Sequence, residues 1–199
     1  MSAYVYQLNL SRGGVPKLPV PEAELTATGL VGDKQAKPFI HGGAEKALSL
    51  YALELIERLR AEGHPITPGS AGENVTVAGL DWSRLAPGSR LTIGDQVVVE
   101  ISRYANPCPT IRGSFAGGEF KRISQKLRPG ESRLYARVLR AGRVAVGQEI
   151  RVVGEAGRVA LDAGELANAS GADGGDGSRP GRLASALSSL AGRKSSGAV

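Results

Sequence analysis

Six short runs rich in β-branched or aromatic residues, each ended within a few positions by turn formers, constrain this chain more than anything else in it. They are Ala3–Leu8, Asn74–Val77, Arg90–Ile93, Gln96–Ile101, Leu134–Leu139 and Glu149–Val153, and runs of this kind read as strands. Gly94-Asp95 joins two of them as a hairpin. Repeated short strands with close turns favour a barrel or a sandwich. Leu48, Ala52, Leu55, Ile56 and Leu59 recur at helical spacing, with Glu54, Glu57, Arg58 and Arg60 turned outward and Gly63 and Pro65 as a stop. A second short helix is expected over residues 118–127. Neither reads as a crossover in a repeated βαβ pattern, which argues against a doubly wound sheet.

The pattern stops near residue 154. Residues 155–199 are a low-complexity Gly/Ala/Ser-rich tail with too few large apolar side chains to offset the entropy of ordering, and they are expected to be mostly disordered. Leu183, Leu187 and Leu190 would share one face of a helix there, but an isolated helix that short is marginal. The expected organisation is therefore a mainly β domain over 1–154, a barrel with a few short helices, followed by the tail. The tail carries as many acidic as basic residues, so the whole net charge of +6 belongs to the first part. That part has no aromatic-interleaved basic run, basic helix or zinc-finger pattern, so no nucleic-acid partner is expected. A pocket for a small anionic ligand would account for the charge as well, with a merely solvated basic surface as the default. No apolar run approaches membrane-spanning length and the N-terminus lacks the pattern of a signal peptide. A cytoplasmic protein with no membrane partner is expected.

The chain has one cysteine, Cys108, between two prolines in Asn106-Pro107-Cys108-Pro109-Thr110. Pro109 biases Cys108 toward extended geometry and Pro107 fixes its own φ, so the thiol sits in a stiff non-helical turn. A lone cysteine makes no internal disulfide, and with only His41 and His64 beside it no ordinary structural zinc site. A metal ligand, a nucleophile and a small core residue remain. Arg103, Arg112, Lys121 and Arg122 flank the turn in sequence, and nearby cations favour thiolate, the form that binds metals and attacks electrophiles.

Two glycine-bearing loops add candidates. In Gly32–Leu48, His41-Gly42-Gly43 allows close backbone approach to a ligand, while His41 and Lys46 offer donors suited to phosphate or carboxylate. In Pro68–Asn74, Gly72 lets Glu73 and Asn74 pack against a neighbouring segment or a ligand, and Asn74 both donates and accepts. Taken alone, each loop is as readily a structural turn.

Taken in order, Gly32-Asp33, His41-Gly42-Gly43, Glu45-Lys46-Ala47 with Tyr51, Gly72-Glu73-Asn74, Gly79-Leu80 and Pro107-Cys108 resemble the MOSC domain family, named for the C-terminal domain of molybdenum cofactor sulfurases, and its small stand-alone bacterial members most closely. The resemblance implies a β-barrel that holds molybdenum cofactor (molybdopterin), with Cys108 as metal ligand and catalytic thiolate. It assigns His41, Gly42, Gly43, Lys46, Gly72, Glu73 and Asn74 to the cofactor pocket, and Arg103 is a further candidate for the cofactor's phosphate. Glu45 stands where many relatives carry aspartate, Arg103 lies farther ahead of Pro107-Cys108 than the usual arginine, and the tail does not match the relatives' helical extension.

The activity so implied is a molybdenum-dependent oxidoreductase that reduces N-hydroxylated small molecules, with electrons from a separate donor protein, since no flavin, nicotinamide or iron–sulfur pattern is present. The family also implies two alternatives. One is a sulfur carrier that takes a persulfide on Cys108 from a partner cysteine desulfurase, because the chain has no room for a pyridoxal phosphate domain of its own. The other is a non-catalytic module that binds or delivers the cofactor. A cysteine hydrolase pairing Cys108 with His41 and Asn74 or Asn106 runs against the family's motif order.

Overall fold

A computed structural model describes residues 2–34 and 42–154. His41 and the tail 155–199, on which expectations were placed, lie outside the described residues. Eleven strands are described: β1 Ala3–Leu10, β2 Leu18–Val20, β3 Glu22–Thr26, β4 Gly29–Leu30, β5 Leu48–Ala52, β6 Val75–Ala78, β7 Arg90–Ile93, β8 Val97–Tyr104, β9 Leu134–Arg140, β10 Gly142–Ala145 and β11 Glu149–Gly154. The main sheet runs β11-β7-β8-β9-β5-β6-β1, and β1 pairs back onto β11 through Ala3 with Ile150 and Tyr4 with Glu149. That pairing closes a seven-stranded β-barrel and removes both sheet edges. β2 adds to β1 from outside the circuit, and β10, β3 and β4 form a small second sheet.

All six runs read as strands are strands, and Gly94-Asp95 lies in the β7–β8 hairpin turn, with Ile93 opposite Val97. β2, β3, β4 and β10 were not anticipated. β3 alternates glutamates with Ala23 and Leu25, and its partner β10 lies more than a hundred residues away, at Leu25 opposite Gly142. Its strand character comes from that distant pairing.

The helix is shorter than its spacing predicted. α1 covers Leu53–Ala61 and buries Leu55, Ile56 and Leu59, while Leu48 and Ala52 belong to β5. All five β5 residues are buried, between β6 and β9. A strand covered on both faces is apolar at nearly every position and so satisfies any periodicity. The helix ends as expected: Gly63 adopts φ 90° and the His64 amide donates to the Leu59 carbonyl at 3.0 Å. β5 and β6 are adjacent and parallel with α1 between them, so the helix is a single crossover after all, unrepeated elsewhere among the described residues. In place of the second expected helix, over 118–127, stands the 3-10 turn Phe120–Ile123, the last of three after Pro109–Ser114 and Ala116–Gly118, with Gly117 and Gly118 at left-handed φ of 63° and 72°. Among the described residues no helix is long and apolar enough to cross a membrane.

Candidate functional site

Cys108 caps the first of those turns in extended geometry, φ −131° and ψ 163°, as Pro109 dictates. Its carbonyl accepts from the Ile111 amide at 3.2 Å, which holds the turn closed from within. From outside, Ser114 Oγ donates to the Ser70 carbonyl at 2.9 Å, and the Ala116 amide donates to His64 Nδ1 at 3.1 Å. The half-buried thiol faces a cleft of about 680 Å3 of atom-free space, its open mouth included.

Four cations line this cleft: Lys17, Lys34, Lys46 and Arg133. No carboxylate is among its described lining residues. Lys17 and Arg133 are 8% and 5% exposed, so both are sunk into the wall. Lys17 Nζ pairs with Asp33, whose other oxygen accepts from the Ser11 amide at 2.8 Å. Burial pulls the Lys17 pKa below its ordinary value, and the Asp33 carboxylate opposes that shift only in part.

Arg133 is fixed through its backbone. Tyr51 Oη donates to the Glu131 carbonyl at 3.1 Å, Trp82 Nε1 donates to the Ser132 carbonyl at 3.0 Å, and the Arg133 carbonyl accepts from the Ala105 amide at 2.8 Å. Tyr51 and Trp82 meet edge to face, with ring centroids 6.2 Å apart. The guanidinium they present is almost wholly enclosed, and its Nε has no hydrogen-bond partner. A buried donor left without a partner costs free energy unless water or a ligand meets it.

Asn74 is the hinge between the walls. Its Oδ1 accepts from Ser49 Oγ at 3.0 Å, and its Nδ2 donates to Asp33 Oδ2 at 2.8 Å and to the Asn9 carbonyl at 3.2 Å. Gly72 stands beside it with φ 86°, and a Cβ there would come within 3.0 Å of Val15 Cγ1 and 3.5 Å of Arg133 Nη1. The left-handed φ and the tight approach to Val15 favour glycine here, while the guanidinium lies at ordinary contact distance.

Of the residues expected in the pocket, Cys108, Lys46, Gly72 and Asn74 line the cleft together. Glu73 lies beneath it, fully buried, with Oε1 accepting from the Gly69 amide at 2.5 Å and from Thr76 Oγ at 3.2 Å, so it braces the loop. Gly43 precedes the short 3-10 turn Ala44–Lys46 with φ 98°, and neither it nor Gly42 is among the lining residues. Arg103 is exposed on β8 and does not line the cleft either. Arg122, one of the cations near Cys108 in sequence, is engaged by Glu62 and Glu131. The cleft's cations come from elsewhere in the chain. Lys17, Lys34, Arg133 and Tyr135 were missed because only the folded barrel brings them to the thiol.

Residues 37–151 match the MOSC domain family. The protein YflK of Bacillus subtilis (strain 168) is 31% identical over 144 residues, which span 70% of this chain and 63% of that protein. A protein named "Reductase" from Gibberella moniliformis is 28% identical over 132 residues, 64% of this chain but 23% of its own length. The chain thus spans less than two thirds of these curated relatives. Among solved structures, YiiM from Geobacillus stearothermophilus shares the fold with a TM-score of 0.59 at 23% identity, covering 76% of this chain and 75% of that one. The matched segment runs through the barrel from the loop before β5 into β11 and takes in the thiol turn, Asn74 and Arg133, and this chain belongs to the MOSC domain family.

Proposed function

We propose that this protein is a molybdenum-cofactor-dependent reductase of N-hydroxylated small molecules. The observation that carries the reading is a single cleft in which a half-buried thiol stands with two cations sunk in the wall, one of them with an unpartnered Nε. The donor set suits the cofactor's two chemically distinct ends. A cysteine thiolate is a soft ligand that fits a sulfur-bound metal, and Cys108 offers one from a turn with little freedom. Arginine grips phosphate through its planar fork, and Arg133, with Lys17 nearby in the same wall, offers that grip at depth. Asn74, locked on three sides, gives the organic part a fixed edge.

When bound, the cofactor would supply the two-electron chemistry that breaks the N–O bond: the N-hydroxyl compound takes up two electrons and two protons and yields the amine or amidine and water. The electrons come from a separate donor protein. The chain's own residues bind and orient. Cys108 presents its thiol to the cleft from the turn, Arg133 would meet the cofactor's buried anion with Lys17 held beside it by Asp33, and the Asp33–Asn74–Ser49 network keeps the two walls in register. The printed name of the Gibberella relative, "Reductase", agrees with this class of reaction.

The test is turnover. Protein produced with a complete cofactor pathway and given reduced viologen is expected to convert benzamidoxime to benzamidine, and Cys108→Ala to lose that conversion. A preparation that holds metal and pterin yet leaves the amidoxime intact contradicts the reaction.

A further inference from the structure

The run of turns that carries the thiol has two sides. Cys108, Thr110 and Ile111 line the cleft, whereas Arg112 in the same turn is exposed, and a Cβ on Gly118 would stand 3.8 Å from Arg112 Cβ. Gly118 belongs to a separate surface groove whose wall includes Phe120, Lys121, Leu127 and Arg128. Leu127 is 60% exposed and Phe120 half-buried, so an apolar strip meets solvent there. Arg112, Lys121, Lys126 and Arg128 are all exposed around it, and none has a side-chain partner among the described residues. The neighbouring carboxylates Glu62 and Glu131 are balanced by Arg58 and Arg122. Glu119 is the one carboxylate among the groove's described lining residues, so the patch is positive.

An apolar strip edged by unpaired charge has the anatomy of a protein interface, and a small one suffices for a brief electron-transfer encounter. Arg112 follows Cys108 by four residues, about 8 Å along a 3-10 turn. We infer that this groove is where the electron donor docks, and that the donor is an acidic one-electron carrier protein presenting carboxylates around a small apolar spot. This rests on the reductase reading, which needs two electrons from outside the chain. Two visits by reduced carrier supply them, each visit oxidising one carrier. Two protons come from water, and the N–O bond breaks to give the amine or amidine and water. The cations steer the carrier in, and Leu127 with Phe120 gives the encounter a dry centre.

The test titrates full-length protein with two acidic carriers, a plant-type ferredoxin and a flavodoxin. The expected result is salt-sensitive binding of at least one, roughly tenfold weaker in the Lys121→Glu, Arg128→Glu double variant and largely lost at ~0.5 M salt. In metal-loaded protein the KM for that carrier rises by a similar factor, while turnover on reduced viologen, which needs no docking, is unchanged. Binding of neither carrier, or binding that survives the double variant, overturns the proposal. An equal loss in Arg143→Glu, Arg151→Glu, on β10 and β11, shows an effect of net charge alone and also overturns it. So does tighter binding of a short DNA duplex that the Lys121→Glu, Arg128→Glu variant abolishes, which assigns the patch to nucleic acid. Turnover on viologen with none on either carrier refutes the docking surface and leaves the reductase reading standing. Carrier binding that the variant weakens, with no turnover on viologen, refutes the reaction and leaves the surface.

Discussion

Beneath the cleft floor, the Glu73 carboxyl has lost its water entirely, and burial lifts its pKa above the ordinary carboxylate value. Hydrogen bonds from Gly69 and Thr76 favour the charged form at Oε1 but leave Oε2 with no partner. A carboxyl whose folded pKa exceeds its unfolded one binds its proton more tightly in the folded chain, so its contribution to stability is complete below the unfolded value and declines as pH rises through the folded value. Relative to Glu73→Gln, the parent is expected to lose stability from about pH 4.3 upward, by as much as about 1.4 kcal/mol per pH unit within that window. Urea unfolding of both proteins across this range measures it, and a pH-independent difference refutes it. At this scale the sequence pointed to the loop and missed the division of labour within it: Glu73 and Asn74 are neighbours, yet one braces from below and the other faces the cleft. Which side chain of such a pair faces a ligand depends on what lies on either side of the loop, here Ser49, Asn9 and Asp33 from distant segments.

Around the site, elements are held by loop-to-loop contacts rather than by extended pairing. The Pro68–Asn74 loop is the clearest case. Gly69 takes φ 83°, and a Cβ built there would stand 2.4 Å from the Lys17 carbonyl and 3.0 Å from Asn9 Oδ1. The Lys17 amide donates to the Gly69 carbonyl at 3.0 Å, so the same contact seats the lysine in the cleft wall. Gly69→Ala is expected to cost about 2 kcal/mol or more, since the clash is with backbone and the left-handed φ is itself unfavourable for alanine. Thermal denaturation checks it, and an unchanged midpoint contradicts the packing described. The extended thiol turn was legible because prolines act locally. The run after it was not, because its 3-10 turns are shaped by Gly117 and Gly118 and by distant anchors at Ser70 and His64. β5 shows the complementary failure, a strand whose apolar spacing matches a helix because both of its faces are buried.

At the scale of the molecule, barrel closure creates the site. Ala3 and Tyr4 meet Ile150 and Glu149 to complete the circuit, and the folded barrel carries Lys17 from before β2, Asn74 from before β6, Cys108 from after β8 and Arg133 from before β9 to one cleft. The barrel class could be read from short strands and turns, and the thiol from its prolines. The buried arginine could not be read, since nothing near it in sequence distinguishes it from Arg103, which the fold leaves exposed. In the proposed function this cleft holds a pterin-bound molybdenum through Cys108. The most direct test is the molybdenum and pterin content per chain of the parent and of Cys108→Ala, both produced with an intact cofactor pathway and shown to be folded. Near-stoichiometric metal and pterin in the parent, with the metal lost from the variant, is the predicted result. Full metal occupancy in Cys108→Ala, or its absence from the folded parent, would contradict the claim.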